Sequence, residues 1–442
     1  MKIQPLKYWK RLRSSFWFIP STMATAAVAL AYIGVAVDEP ITEWLEGHLG
    51  WTFRSGADGA SAVLGIIAGS MITIAGVVFS MTLITLSLAS SQLGPRLLRN
   101  FMSDTRTQVV LGTFIATFIY CLLVLRTIRR EEGAEFVPNL SVSVGVVLAV
   151  ASVGVLIYFI HHVSVSIQAN EIAARIGKEF IKGVNHLFPK HIGEETLPVP
   201  EGSSEASLVE MFDRDAQSVV ADENGYLQLV YGDELLKLAI DENLIVRLER
   251  KPGNYVVAGT PLVLISPGSR VTKQLTKQVQ SFFVLGNQRT SDQDIEFAVN
   301  QLVEMAARAL STGLNDPFTA IACVDHLGSG LCELATRDTP SPYRYDHDHK
   351  LRVIGRADSF DEIVDAAFNQ IRQYGRSNAA VSIRLLTTIA VIMRFAHRPE
   401  DCATLLRHAE MVVRGANEGL PEKEDRQAVE ECWQAVMAGM PK

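Results

Sequence analysis

A neutral stretch at residues 59–95 contains the side chains whose types and spacing point most directly to chemistry. Its 37 residues include no Asp, Glu, Lys or Arg. Small and hydroxyl residues recur in it at steps of three, four or seven, which places them along one face of a helix. This glycine–hydroxyl edge consists of Gly65, Gly69, Thr73, Gly76, Ser80, Ser87 and Ser91.

Two roles are compatible with the hydroxyls of this edge. Small residues let helices approach closely inside a membrane, and hydroxyls can hydrogen-bond across such a contact. The same oxygens could line a hydrated path through an oligomer. Transport driven by protons is not favoured, because it usually needs an ionisable side chain within the membrane. The candidate pore-lining or helix-packing residues are Thr73, Ser80, Ser87 and Ser91.

A second candidate lies farther along the chain, where Asn315 and Asp316 precede Pro317. The two polar side chains could hold a ligand or an ion in the cytoplasm. The alternative, which we favour, is that they cap a helix, because Asn and Asp accept hydrogen bonds from the free amides of a first turn and proline suits that turn. Both interpretations stay open at the level of the sequence.

Two further groups have metal-ligand types. His161 and His162 are adjacent at the inner end of an apolar segment, where a pH sensor, a metal ligand or an interfacial anchor is conceivable. A loop contains the run Asp346-His347-Asp348-His349. Because adjacent residues on a flexible loop rarely converge on one ion, we expect no metal site.

Catalysis finds no positive support in the sequence. No phosphate-binding loop, nucleophile elbow, zinc-protease or kinase motif occurs. The five cysteines include no CxxC pair, which argues against a disulfide framework and against a cysteine zinc site. We therefore expect no enzyme activity and no cofactor. A catalytic site without a local motif would need ionisable groups from distant parts of the chain, which only the fold could bring together.

Composition and charge bound the class of protein that must position these residues. The chain has 442 residues, of which 48% are hydrophobic and 20% charged. Residues 1–188 carry a charge balance of +4 and residues 189–442 a balance of −11. The long apolar runs near the N-terminus exclude a wholly soluble globule. The lack of a basic stripe excludes a protein that binds nucleic acid.

Four segments are long and apolar enough to cross a hydrocarbon core of about 30 Å, which takes roughly 20 helical residues. We predict a transmembrane domain over residues 1–163, with helices at about 16–37, 60–92, 107–126 and 140–163. The neutral stretch would be about 55 Å long as one helix. It must therefore tilt, kink or project from the bilayer.

The distribution of Lys and Arg predicts the orientation of these helices. Eleven such residues flank the side that holds the N-terminus and the end of the fourth helix, against four on the other side. By the positive-inside rule, both termini are then cytoplasmic. We expect a multi-pass membrane protein, with the lipid bilayer as its surroundings and its large C-terminal part in the cytoplasm.

The remainder of the chain predicts a cytoplasmic α+β region. An amphipathic connecting helix is expected at 164–188, a linker at 189–222 and a small β module at 223–270. An all-α domain is expected at 271–442. The predicted fold class is thus a multi-pass α-helical membrane protein with a cytoplasmic β module followed by a helical domain.

Several stretches are similar to an uncharacterised bacterial membrane family, domain-of-unknown-function family twenty-two fifty-four. The most specific of them is RALSTGLNDPFTA at 308–320, in which Thr312 replaces the usual small residue or proline. The others are FSMTL at 79–83, SSQLGPRLLRN at 90–100 and GTF at 112–114. The resemblance implies a bacterial cytoplasmic-membrane protein with no established activity, so it supplies no functional residues.

Two hypotheses about function follow from these observations. The first is an oligomeric channel-like or solute-permeation protein, with the hydroxyls of the glycine–hydroxyl edge along its path. The second is a non-conducting scaffold or sensor, which recruits a cytoplasmic protein partner through its acidic region. Only the first hypothesis requires several copies to associate around a water-filled axis.

Overall fold

The computed structural model describes residues 16–46, 56–93, 104–129, 136–166, 168–188, 212, 214–356 and 358–438, and within them the side chains of all but 39–46 and 89–93. The chain forms two compact units, Met1–Glu171 and Ile172–Lys442. We call the first the four-helix unit and the second the globular unit.

Four helices, each long and apolar enough to cross a membrane, make up the described part of the four-helix unit, as predicted. The second is a single continuous helix of 37 residues, so the neutral stretch does not divide into two shorter ones. The helices are α1 (Phe18–Glu46), α2 (Ala57–Leu93), α3 (Thr105–Thr127) and α4 (Asn139–Ser166).

Helix α3 is the central helix of this unit. Half of its apolar segment is buried, whereas no more than 28% is buried in the other three. Gly112 lets α1 approach α3, because a Cβ there would lie 2.6 Å from the sulfur of Met23. Towards one end the core is built around Leu64, Tyr120 and Cys121. Towards the other end it includes Val78, Phe114 and Phe159.

An amphipathic helix, α5 (Ala169–Leu187), lies within the predicted range 164–188, and its residues from Ile172 onwards belong to the globular unit. Its apolar face, which includes Ile172, Ile176, Phe180 and Val184, is buried. Phe180 packs against helix α9 (Pro317–Ala335) at Gly330, where a Cβ would overlap its ring. The helix therefore contributes to the core of the globular unit.

Eight short strands form two sheets in the described part of the globular unit. The five-stranded sheet has the order β1-β5-β3-β8-β7 and the three-stranded sheet the order β4-β2-β6. All pairings are antiparallel except β3 with β8. The strands are β1 (Gln217–Val220), β2 (Gly225–Val230), β3 (Ile245–Leu248), β4 (Tyr255–Val256), β5 (Pro261–Ser266), β6 (Phe283–Gly286), β7 (Tyr343–Tyr345) and β8 (Leu351–Ile354).

Three of these strands correct the expectation of an all-α domain from residue 271 onwards. Strands β6, β7 and β8 lie inside that range and pair with strands of the predicted β module or with each other. Strand β1 lies in the predicted linker 189–222, so the sheet also begins earlier than expected; residues 189–211 of that linker lie outside the described residues. Each of these four strands has only three or four residues, which is too short to show a clear alternation in the sequence. Val246 of β3 pairs with Val353 of β8, and no local pattern reports a partner so distant along the chain.

Helices complete the globular unit, in agreement with a helical C-terminal region. Side-chain caps begin several of them: Asp294 caps α8, Ser359 caps α10 and Asn378 caps α11, each accepting a hydrogen bond from an amide of the first turn. Besides α5 and α9, the helices are α6 (Gly232–Asp241), α7 (Lys273–Ser281), α8 (Ile295–Ala309), α10 (Phe360–Gly375), α11 (Ala379–Met393), α12 (Pro399–Gly419) and α13 (Lys423–Ala438).

Candidate functional site

The glycine–hydroxyl edge lies on the outer surface of the four-helix unit. Thr73, Ser80 and Ser87 are exposed, and Ser91 lies on α2 with a side chain outside the described residues. The hydroxyl of Thr73 donates a hydrogen bond to the carbonyl of Gly69 at 2.8 Å, within its own helix. Such a bond satisfies a hydroxyl in apolar surroundings without a second helix.

The glycines of the edge are equally open. A Cβ added to Gly65, Gly69 or Gly76 would meet no atom of the described residues within 4 Å. At 100° per residue, the buried face of α2 lies about 140° around the helix from the edge. That buried face consists of Ala57, Ala60, Ser61, Leu64, Ala68, Met71, Ala75 and Val78.

The second candidate, Asn315 and Asp316, lies at the corner between α8 and α9. Asp316 is the N-cap of α9, because its carboxylate accepts hydrogen bonds from the amide of Thr319 at 3.1 Å and from its hydroxyl at 2.6 Å. Asn315 has a φ of 47°, the left-handed conformation that Asn tolerates better than most residues. Both side chains are exposed, and Phe318 beside them is 80% exposed.

The run of alternating Asp and His forms the turn between β7 and β8. Asp346 accepts hydrogen bonds from the amides of Asp348 and Lys350, both at 2.9 Å. Its other oxygen lies 2.7 Å from Nε of Arg352. The first carboxylate of the run is thus engaged in shaping the hairpin.

His162 lies against the start of α3. Asp104 caps that helix by accepting hydrogen bonds from the amide of Arg106 and the hydroxyl of Thr107. The Nε2 atom of His162 is 3.3 Å from the same carboxylate. This contact joins the end of α4 to the beginning of α3.

A cluster of charges that sequence patterns did not indicate surrounds Lys251, in the turn between β3 and β4. Its ammonium pairs with Asp358, with Glu362 at 2.8 Å and with Glu296 at 3.4 Å. These three carboxylates are close enough together to bind a metal ion, but the lysine lies among them. The residues come from three distant parts of the chain, so no local motif connects them.

The electrostatics of this cluster favour a structural role. Burial alone would lower the pKa of Lys251, but its hydrogen bonds with Asp358 and Glu362 raise it above the ordinary value. A lysine held in its charged form is not a nucleophile. The cluster therefore joins the β3–β4 turn to the first turns of α8 and α10.

A second buried pair connects α10 and α12. The imidazole of His408 is fully buried, and its Nε2 lies 2.7 Å from Oδ1 of Asp365. Its Nδ1 has no hydrogen-bond partner among the residues that the structure describes. Burial lowers the pKa of His408 below its ordinary value, although Asp365 acts in the opposite direction. The ring is therefore neutral near pH 7.

Comparison with known proteins completes the description of the site. The model of the family described as "Predicted membrane protein (DUF2254)" matches residues 13–391. The chain is 33% identical over 390 residues to the uncharacterized protein Mb1321c of Mycobacterium bovis. The aligned region covers 85% of this chain and 72% of the relative. The uncharacterized protein Rv1290c of Mycobacterium tuberculosis matches with the same identity and coverage. No solved structure matches the chain at a significant level.

Proposed function

Since the chain belongs to the DUF2254 family of predicted membrane proteins, as its motifs indicated, we propose that copies of it associate in a bacterial inner membrane and form a permeation path for small solutes. The copies meet along the glycine–hydroxyl edge of α2. Both termini are cytoplasmic, because the basic flanks lie on their side of the bilayer.

The observation that carries this proposal is the open space around Gly65, Gly69 and Gly76. Glycine inside a helix is less stable than alanine by about 0.5–1 kcal/mol, so three glycines on one edge need a compensating contact. Packing within the described chain does not supply it, because the buried face of α2 is a different one. A second copy does, since glycine allows two helix backbones to approach closely in a membrane.

The hydroxyls favour a path that conducts over a contact that only packs. Thr73, Ser80 and Ser87 are separated by seven residues, or nearly two turns, and form a line along the edge. Their oxygens can replace the hydration of a passing solute. Because the line carries no formal charge, we expect neutral solutes or ions of low charge and no coupling to protons.

Crosslinking tests the association. Thr73→Cys on α2 is compared with Val150→Cys on α4, a matched control whose native side chain is 68% exposed on another outer surface. We expect an oxidant to link two copies through Thr73→Cys in native membranes and not through Val150→Cys. Equal crosslinking of both variants, or of neither, contradicts association along the edge.

Conductance then separates the two functional hypotheses. Purified protein in planar bilayers should pass current, and Ser80→Trp should reduce it whereas Val150→Trp should not. Crosslinked copies that pass no current would refute the permeation path and favour the non-conducting scaffold. In that alternative, residues 189–442, which carry a charge balance of −11, recruit a basic protein partner.

A further inference from the structure

Three arginines face a concavity on the globular unit, where α10 and α12 lie side by side. The concavity has a volume of about 540 Å³. Arg372 and Arg376 are one helical turn apart at the end of α10, and Arg414 lies on the facing turn of α12. Its lining also includes Gln373, Met411, Gly415 and Glu418.

Close contact between the two helices positions these arginines. A Cβ on Gly419 would lie 2.6 Å from the carbonyl oxygen of Arg376, so α12 approaches the end of α10 closely only because this residue is glycine. Gly415 opposes the Cβ of Arg376 and adds no side chain to the concavity. The concavity therefore stays open although the two helices beside it are closely packed.

Six arginines in the described part of the globular unit pair closely with a carboxylate, and none of these six lies in the concavity. In a region with a charge balance of −11, arginines are expected to pair with carboxylates at close range. Arginines that do so at 3.0 Å or less are Arg247, Arg289, Arg337, Arg352, Arg398 and Arg407.

Arg372 and Arg414 lack such a short contact among the described residues. The Nε atom of Arg372 is enclosed and has no hydrogen-bond partner there. Arg414 lies 3.8 Å from Glu410, and both of these side chains are largely exposed. Burial lowers the pKa of Arg372, the charge of Arg414 lowers it further, and Asp365 acts in the opposite direction.

From this geometry we infer that the concavity between α10 and α12 binds a phosphate-bearing anion. The planar guanidinium groups match the oxygens of a phosphate in a bidentate manner. Among the lining residues, three arginines and Glu418 give a net charge of +2, which Glu410 beside Arg414 reduces. A phosphate monoester supplies negative charge of this size at neutral pH. The volume falls within the range of sites for small molecules, about 300–1,000 Å³.

Phosphate chemistry of this kind comes from a soluble phosphorylated compound or from an anionic phospholipid headgroup. The test uses the full chain in nanodiscs of phosphatidylcholine, titrated with inorganic pyrophosphate in a calorimeter. We expect Arg376→Gln/Arg414→Gln to weaken binding by about tenfold or more, because charge-assisted hydrogen bonds are lost. Both side chains are exposed, so the variant is expected to fold, and circular dichroism checks this.

A matched control carries the same change of charge elsewhere. Arg384→Gln alters an exposed arginine of α11 that lies 3.2 Å from Asp325, outside the concavity. It should leave pyrophosphate binding within twofold of the wild type. If the control weakens pyrophosphate binding as much as the double variant does, a soluble phosphorylated ligand is ruled out at this concavity. The same holds if both variants bind pyrophosphate as well as the wild type does.

The second arm replaces part of the phosphatidylcholine by phosphatidylglycerol and omits pyrophosphate. A rise in melting temperature that requires Arg376 and Arg414 assigns the site to an anionic lipid headgroup. Binding of pyrophosphate without such a rise assigns it to a soluble phosphorylated compound. If neither arm depends on these two arginines, the inference is refuted, whatever the crosslinking and conductance of the α2 edge show.

Discussion

Asp38 of α1 accepts two hydrogen bonds from Ser141 of α4, one from its backbone amide and one from its hydroxyl, both at 2.8 Å. The carboxylate is buried and also lies 3.3 Å from the amide of Leu140. It thus satisfies free amides at the start of α4 from a different helix. The hydroxyl of Tyr120 on α3 donates to the carbonyl of Ser141 at 3.0 Å, so three helices meet at this point.

The first prediction concerns this cap. Asp38→Ala should lower the free energy of unfolding by about 2 kcal/mol, because it leaves buried amides without an acceptor. Asp58→Ala, at an exposed position in the first turn of α2, is the control and should cost less than about 1 kcal/mol. Unfolding in detergent, followed by circular dichroism, compares them. Equal losses would mean that Asp38 does not act as a buried cap.

The second prediction concerns the charges around Lys251. Lys251→Met should destabilise the globular unit by about 3–5 kcal/mol, because the half-buried Asp358 loses the cation that pairs with it. Glu296 keeps its contact with Arg289 at 3.3 Å. Lys350→Met, at an exposed turn residue, should cost less than about 1 kcal/mol. Urea unfolding of the full chain, monitored by tryptophan fluorescence, measures both. A loss below about 1 kcal/mol for Lys251→Met would contradict a stabilising cluster.

The third prediction concerns the contact between α5 and α9. Gly330→Ala should destabilise the chain by about 1–3 kcal/mol, because the added methyl group overlaps the ring of Phe180. Gly183→Ala in α5 is the matched control, since its Cβ would lie 3.7 Å from Ile295, an ordinary contact. Melting temperatures report the difference. If Phe180→Leu fails to rescue Gly330→Ala, the overlap is not the cause.

The fourth prediction concerns pH. The lowered pKa of His408 means that the unfolded chain binds a proton more readily than the folded chain, so stability falls as the pH drops below about 6.5. Burial would raise the pKa of Asp365, but Arg407 and His408 lower it, so its contribution is lost only at still lower pH. Urea unfolding between pH 7 and pH 5 should show a shallower slope in His408→Gln.

His347→Gln, at an exposed residue of the β7–β8 turn, provides the control for this slope. It should follow the wild-type curve between the two pH values. If His408→Gln does so as well, the buried pair does not contribute to the pH dependence in this range.

The fifth prediction concerns topology. A reporter that is active only in the periplasm should stay inactive when fused after Lys442 and become active when inserted between α3 and α4. The physical basis is the excess of Lys and Arg on the side that holds both termini. The reverse pattern of activity would invert the orientation that we propose.

Much of the four-helix unit could be predicted because its signal is local. A helix that crosses a membrane needs about 20 consecutive apolar residues, which the sequence displays directly. The cap at Asp316 was one of two open interpretations, since an Asp-Pro pair fits a helix start and also a ligand site. The amphipathic period around Ile172 and Phe180 likewise located α5.

The face that α2 buries could not be predicted from the same local signals. Both the alanine face at Ala60 and Ala68 and the glycine–hydroxyl edge are small enough for close packing, so the sequence does not distinguish them. The structure buries the alanine face and leaves Gly69 open. The choice depends on the surface of α3, which belongs to another segment.

The sequence by itself determined the number of apolar helices, their positions and the acidic character of the second half, because these properties belong to consecutive residues. Only the tertiary structure decided which distant groups come together: Asp38 with Ser141, Lys251 with Asp358, and Arg372 with Arg414 around one concavity. Such pairs form when the packing of whole helices and sheets closes long loops, and nothing in the neighbourhood of either residue reports its partner.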